Sequence, residues 1–282
     1  MVTGNDLTCR LPCQGGHYAS YNLSSLLYAH RLDDSQHVKL EVWLAPGLTK
    51  PTFEEAKRQT FKSTKKGESF GPSWTNHWFK VTLHIPKEWS DYEKVQFEFD
   101  CSGEAMIFTT DGDPIHGLTG GFGDDRRVEF IIPQSARNAG VAHYYIEASC
   151  NGMFGINNME PPDPNRYYQL NSADLVVPNE EAWKLMWDFN AIHQVYNTLP
   201  GDSALAKKAQ WVANEIMNVF ETGSLESVAR GREVARIVLG KDWEKNIQEE
   251  SENAGMEKGV LWGIGHWYIA RDKQISPWLT GT

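Results

Sequence analysis

The sequence predicts an α+β protein: an N-terminal antiparallel β-sandwich, then an α-helical connector, then a single orphan strand of a truncated α/β barrel. Three observations carry this. Between residues 77 and 177 short runs alternate apolar and polar side chains, with turn signals close between them, as sandwich strands do. After Pro178 the apolar spacing changes to that of helices. Finally, GVLWGIGHWYIA at 259–270 is a short, almost wholly apolar run, which suits a strand buried on both faces.

Taken in order, residues 1–17 are polar and read as a loose segment, and 18–178 form the sandwich domain. Leu23, Leu26, Leu27 and Tyr28 fall at near-helical spacing and predict a short helix within 18–32. HVKLEVWL at 37–44 places Val38, Leu40, Val42 and Leu44 on one side of a strand. A helix is expected over 52–62, followed by a basic loop with Lys62, Lys65 and Lys66 in solvent. Further strands are expected at 77–85, 94–100, 105–110, 128–132, 142–150 and 173–177. Asp111-Gly112 suits a tight hairpin, because both central residues tolerate positive φ. The alternation predicts that each sheet keeps one face wet.

The helical connector spans 179–258. Asn179 followed by Glu180 and Glu181 is a helix start, with an acceptor at the cap and negative charge at the positive end of the dipole. Pro200-Gly201 stops that helix, Asp202 is expected to cap the next, and Gly223-Ser224 opens a third that Gly240 ends. Residues 242–254 predict a more polar fourth helix. The barrel strand occupies 259–270, and 271–282 is a tail without a second strand–helix unit.

Charge and composition exclude several classes. With 27 Lys and Arg against 37 Asp and Glu, the net charge of −10 argues against a nucleic-acid partner. No run of 18 apolar residues is present to span a membrane, and no secretory signal pattern opens the chain, so a cytoplasmic location is expected. Cys9, Cys13, Cys101 and Cys150 read as reduced thiols rather than zinc ligands. Gly117–Gly123 is expected to be a flexible hairpin loop, and Asp124, Asp125, Arg126 and Arg127 a solvated surface group. The 11 tryptophans fit either core packing or sugar stacking, for which Trp74, Trp78 and Trp89 are the candidates. On a strand His266, Tyr268 and Ala270 share a face, but one His beside a phenol and a methyl makes no zinc site.

SFGPSWTNHWFKV (69–81), DGDPIHGLT (111–119), Cys150-Asn151-Gly152 and Pro162-Asp163-Pro164 together resemble the N-terminal region of cytosolic and vacuolar class II α-mannosidases, glycoside hydrolase family 38. The resemblance runs over about residues 18–266. It implies a β domain and helical connector ahead of a zinc-bearing barrel, a homo-oligomer, and mannose-containing oligosaccharide as substrate, with delivery to the vacuole possible from the cytosol. In the family a strand reading approximately GHCHIDTAWLWP supplies two zinc ligands. Those two positions are Tyr268 and Ala270 here, so no catalytic residue and no metal ligand is expected in this chain. The expected function is that of a hydrolytically inactive α-mannosidase fragment; a carbohydrate-binding or oligomerisation module is the alternative.

Overall fold

The computed structural model describes residues 23–120, 127–151, 163–221 and 223–241. The sandwich strands are β1 (Tyr28–Leu32), β2 (Val38–Leu44), β3 (Lys62–Thr64), β4 (Ser69–Phe70), β5 (Asn76–His84) and β6 (Gln96–Asp100). They continue as β7 (Glu104–Phe108), β8 (Pro114–Thr119), β9 (Glu129–Ile131), β10 (Val141–Ser149), β11 (Tyr168–Gln169) and β12 (Ser172–Pro178). Two short helices interrupt them, α1 (Phe53–Lys57) and α2 (Gln134–Ala139), and three longer ones follow: α3 (Glu180–Thr198), α4 (Ala204–Val219) and α5 (Leu225–Leu239). The fold is therefore α+β, with the β-rich part first.

The strands make a six-stranded sheet in the order β3-β2-β5-β10-β7-β8, a four-stranded sheet in the order β1-β12-β6-β9, and the small pair β11-β4. Alternation is what fixes the register. Phe79, Val81 and Leu83 of β5, with Ile146 of β10, face Phe97 and Phe99 of β6 and Ala173, Leu175 and Val177 of β12 in one core. Each fully buried Phe, Leu, Ile or Val contributes roughly 1.5–3 kcal/mol of transfer free energy, so a one-residue slip that turned these rows outward is strongly disfavoured.

Several expectations are corrected here. The stretch 23–26 is a single 3-10 turn, and Tyr28–Leu32 is strand, because Leu23 and Leu27 alone are buried against helices. The helix after Thr52 lasts five residues; Thr52 and Glu55 cap its start reciprocally, and the chain turns back into β3. Asp111-Gly112 is not a two-residue hairpin. The loop closes where the Thr109 N–H donates to the Asp113 carbonyl at 2.9 Å, and of the pair only Gly112 has positive φ (+99°). Gly117, Leu118 and Thr119 are strand rather than loop, since they pair with Met106, Ala105 and Glu104. Nor does each sheet keep a wet face: all five residues of β6 and six of seven in β12 are buried, outward positions included.

Residues Ala29–Pro178 form one compact unit; described residues 23–28 and 179–241 belong to a second. In the second, Leu185, Phe189 and Ile192 of α3 meet Ala209, Val212 and Ile216 of α4, Val228 and Ala235 of α5, and Leu23 and Leu27. Asn179 caps α3 through its side chain, and its own N–H donates to the Leu27 carbonyl at 2.8 Å. Ser203, not Asp202, caps α4, and Ser224 caps α5. Gly231 lets α5 approach α3: a Cβ there would stand 3.1 Å from both δ carbons of Leu185. Beside it, buried Arg232 donates from Nε to Asp188 Oδ2 and from Nη1 to Glu181 Oε2, both at 2.9 Å. No helix among the described residues is long and apolar enough to cross a membrane. The predicted polar helix at 242–254, the strand at 259–270 and the tail lie outside the described residues.

Candidate functional site

Two of the segments that carry the family resemblance, 69–81 and that around Cys150-Asn151, meet at one end of the sandwich. Phe70, at the end of β4, packs edge-on against His77 and Phe79, with ring centroids 5.3 and 5.0 Å apart, which anchors the strand to the core. A cis peptide joins Gly71 to Pro72, and a turn over Pro72–Thr75 leads into β5. The Thr75 N–H and hydroxyl both donate to the Pro72 carbonyl, at 3.2 and 2.6 Å. The turn is then tied to the end of β10: the Trp74 N–H donates to the Cys150 carbonyl at 2.8 Å, and the Cys150 N–H to the Thr75 carbonyl at 3.1 Å. On the other side Gly71 lies against the segment before β11; a Cβ on it would stand 3.0 Å from Tyr167 Cδ1 and 3.1 Å from the Arg166 carbonyl. Only a residue without a side chain permits that approach.

The side chains at this junction are aromatic, amide, hydroxyl and carboxylate groups. Trp74 is half-buried and held at φ +66°, whereas Tyr167 is 59% exposed. Asn151 Nδ2 donates to Glu104 Oε2 at 2.6 Å, Asn76 Nδ2 to Glu147 Oε1 at 2.8 Å, and Lys50 Nζ to Ser149 Oγ at 3.3 Å. Three buried side chains at the junction keep an oxygen without a hydrogen-bond partner: Ser73 Oγ, Asn76 Oδ1 and Asn151 Oδ1. Burial pushes the His77 imidazole down from 6.5 to about 4, and the Cys150 thiol upward.

Of the predicted stacking residues, then, Trp74 lies at this junction, and Trp78 and Trp89 do not offer a ring to solvent. Trp78 is only 1% exposed, packed edge-on to Phe53 at 6.0 Å and tilted against Phe108 at 5.2 Å. The reason is α1, whose Phe53 and Ala56 cover the outer face of β5 just where Trp78 projects. Trp89 is buried with His30 stacked on it at 5.6 Å. Tyr268 and Ala270 lie outside the described residues, as do Cys9, Cys13 and residues 121–126. The motif 111–119 sits elsewhere: its Gly112 abuts Phe53 beside α1.

A second polar cluster is one that sequence reasoning missed. On the face of the four-stranded sheet away from the core, Asp174 of β12 stands opposite Glu98 of β6, and Glu98 opposite Glu129 of β9. Like charges directly opposed across strands destabilise a sheet unless a cation intervenes. Arg31 of β1 does so, donating from Nη2 to Glu98 at 3.0 Å and from Nη1 to Asp174. Lys66 donates to Asp174 at 2.9 Å and also pairs with Asp33, so it is not the freely solvated side chain expected. The signal was the acids at outward positions in KVQFEFD and SADLVVP. Among the described residues no group of three or more His, Cys, Asp or Glu is arranged to hold a metal ion.

Comparison with known proteins fits these motifs. The family model described as "Alpha-mannosidase, jelly roll domain" matches residues 35–176. The chain is 34% identical over 241 residues to "Alpha-mannosidase G" of Dictyostelium discoideum, covering 84% of this chain and 21% of that protein. It is 31% identical over 277 residues to "Alpha-mannosidase" of Saccharomyces cerevisiae, covering 90% and 25%. To "Alpha-mannosidase 2C1" of Mus musculus it is 26% identical over 258 residues, covering 90% and 23%. The chain thus spans a quarter or less of the length of these relatives. With half of its residues inside the family model, the chain belongs to the α-mannosidases, and its β-sandwich is their jelly-roll domain.

Proposed function

We propose that this chain serves the hydrolysis of terminal α-D-mannosides as a non-catalytic part, a jelly roll with its helical companion, and cleaves no mannoside by itself. The observation that supports this is the fate of its carboxylates. Retaining glycoside hydrolysis needs two carboxyl groups about 5–5.5 Å apart flanking an open sugar site. The facing pair Asp174 and Glu98 is buried and engaged by Arg31 and Lys66, so both carboxylates are held by cations rather than flanking an open site. The described residues also do not fit zinc, because their His, Cys, Asp and Glu side chains are not grouped as a ligand set. At Tyr268 and Ala270 a phenol and a methyl stand where the resemblance calls for ligands.

In this reading the substrate of the family, a mannose-containing oligosaccharide of glycan catabolism, is cleaved by residues other than those described. A cytoplasmic setting agrees with free, buried Cys101 and Cys150. The test is turnover of an aryl α-mannoside by the purified 282-residue chain, with and without added zinc. No release of the aryl alcohol above buffer is expected in either case. Zinc-dependent release that copurifies with the chain would sink the proposal.

A further inference from the structure

We infer that the Trp74 turn, with Tyr167 beside it, is a binding subsite for a neutral, mannose-containing oligosaccharide. The choice of mannose rests on the α-mannosidase reading above; the site itself rests on four observations.

The first is the backbone of Trp74. A bulky side chain at φ +66° is rare and costs on the order of 1–3 kcal/mol, whereas glycine occupies that region freely. The ring is not wholly taken into the core: Trp74 is only partly buried, whereas Trp78 and Trp89 are buried. The bond from the Trp74 N–H to the Cys150 carbonyl, with the return bond from the Cys150 N–H to the Thr75 carbonyl, holds the turn in that conformation.

The second is the aromatic neighbour. Gly71 brings the Tyr167 backbone against the same turn, and Tyr167 leaves 59% of its surface in solvent. Two rings with apolar faces and polar tips suit a ligand whose own faces alternate C–H and hydroxyl groups. The third is the pair of unanswered oxygens. Ser73 is 1% exposed and Asn151 8%, and Ser73 Oγ and Asn151 Oδ1 have no partner. Each flanks the Trp74–Cys150 hydrogen bond by one residue. An unpaired buried polar atom costs about 1–3 kcal/mol, which a ligand hydroxyl recovers once the turn yields enough to admit it. An apolar ligand would leave both unpaired.

The fourth observation is charge. Glu104 and Glu147 stand at this end of the sheet with Lys50 and Arg166 close by, so the junction itself is of mixed charge, and the chain's net charge of −10 gives an anionic ligand no overall attraction. A neutral polyhydroxyl ligand fits all four.

Affinity electrophoresis of the full 282-residue chain through gels containing α-mannan, with dextran as the control polymer, tests this. Mannan is expected to retard the protein and dextran not. Trp74→Gly removes the ring and relieves the backbone, so it should weaken mannan binding at least tenfold with no fall in melting temperature. Tyr167→Ala, at an exposed position, should weaken binding severalfold in a folded protein. No retardation of the wild type, retardation that survives both substitutions, or equal retardation by dextran would overturn the inference. Unfolding of Trp74→Gly would also overturn it, since the ring would then be structural. Because the readout is binding, these outcomes are independent of the aryl-mannoside assay: turnover there would remove the non-catalytic reading and leave the subsite untouched.

Discussion

His77 shows how far one residue's setting departs from what its neighbours in sequence suggest. It lies at the start of β5 on the core side, where Phe70 packs on it and Thr75 Oγ1 is 3.1 Å from Nε2. Burial lowers its pKa from 6.5 to about 4, so the folded protein keeps it neutral where the unfolded chain protonates it. Above pH 6.5 the residue is neutral in both states and contributes nothing to pH dependence. As pH falls from 6.5 towards 4 the unfolded state binds a proton that the folded state refuses, and stability falls by on the order of 3 kcal/mol. His116 is shifted in the same direction by burial, so replacing His77 should remove only part of the acid sensitivity. Urea midpoints of wild type and His77→Gln between pH 7 and pH 4 check this: the variant's slope should be shallower. Parallel slopes would mean that His77 takes up its proton in the folded state.

Between strands, the informative feature is the acid row. Asp174 and Glu98 face each other on β12 and β6, and Arg31 on β1 reaches both. Removing one partner of a buried pair costs about 3–5 kcal/mol, but the Arg31 side chain is 37% exposed, and water softens the loss. We expect Arg31→Ala to destabilise the protein by about 1–3 kcal/mol, and Asp174→Asn in that background to restore part of it. Chemical denaturation of the single and double variants gives the coupling directly; a loss below about 0.5 kcal/mol for Arg31→Ala would show a merely solvated arrangement.

The same strands show what the sequence makes legible. β2, β5, β6, β10 and β12 stand out because their inward rows form one core, and that row leaves a period-two trace. The starts of α3 and α5 and the stop at Gly240 are equally visible, since capping is local chemistry. The strands β3, β4 and β11 leave no such trace: two or three residues long, they exist because a partner strand is already in place. The candidate site divides in the same way. FGPSW points to Trp74, but nothing along the chain tells Trp74 from Trp78, because their difference is made by α1 lying over the outer face of β5. Asn151 and Tyr167 come close to the Trp74 turn only through the fold.

For the molecule as a whole, the boundary of the sandwich is set by its core. Leu23 and Leu27 are buried with α3, α4 and α5, whereas the core of Ala29–Pro178 is complete without them. We therefore expect the piece Ala29–Pro178, about 150 residues, to unfold in one cooperative transition and remain monomeric. A piece that begins before Leu23 and ends at Pro178 should self-associate more, since it carries Leu23 and Leu27 without their helices. Calorimetry and sedimentation of the two pieces decide the matter; equal behaviour would show that residues 23–28 need no helical partner.

That division also sets a timetable for synthesis. Leu27 leaves the ribosome well before Phe189, with which it shares a core, because the entire sandwich is translated between them. At 5–20 residues per second the gap is roughly ten to thirty seconds, ample time for the β domain to close first. The nascent chain must therefore carry a greasy leading segment unattached for that whole interval, which makes residues 23–28 the place where a chaperone would be needed most.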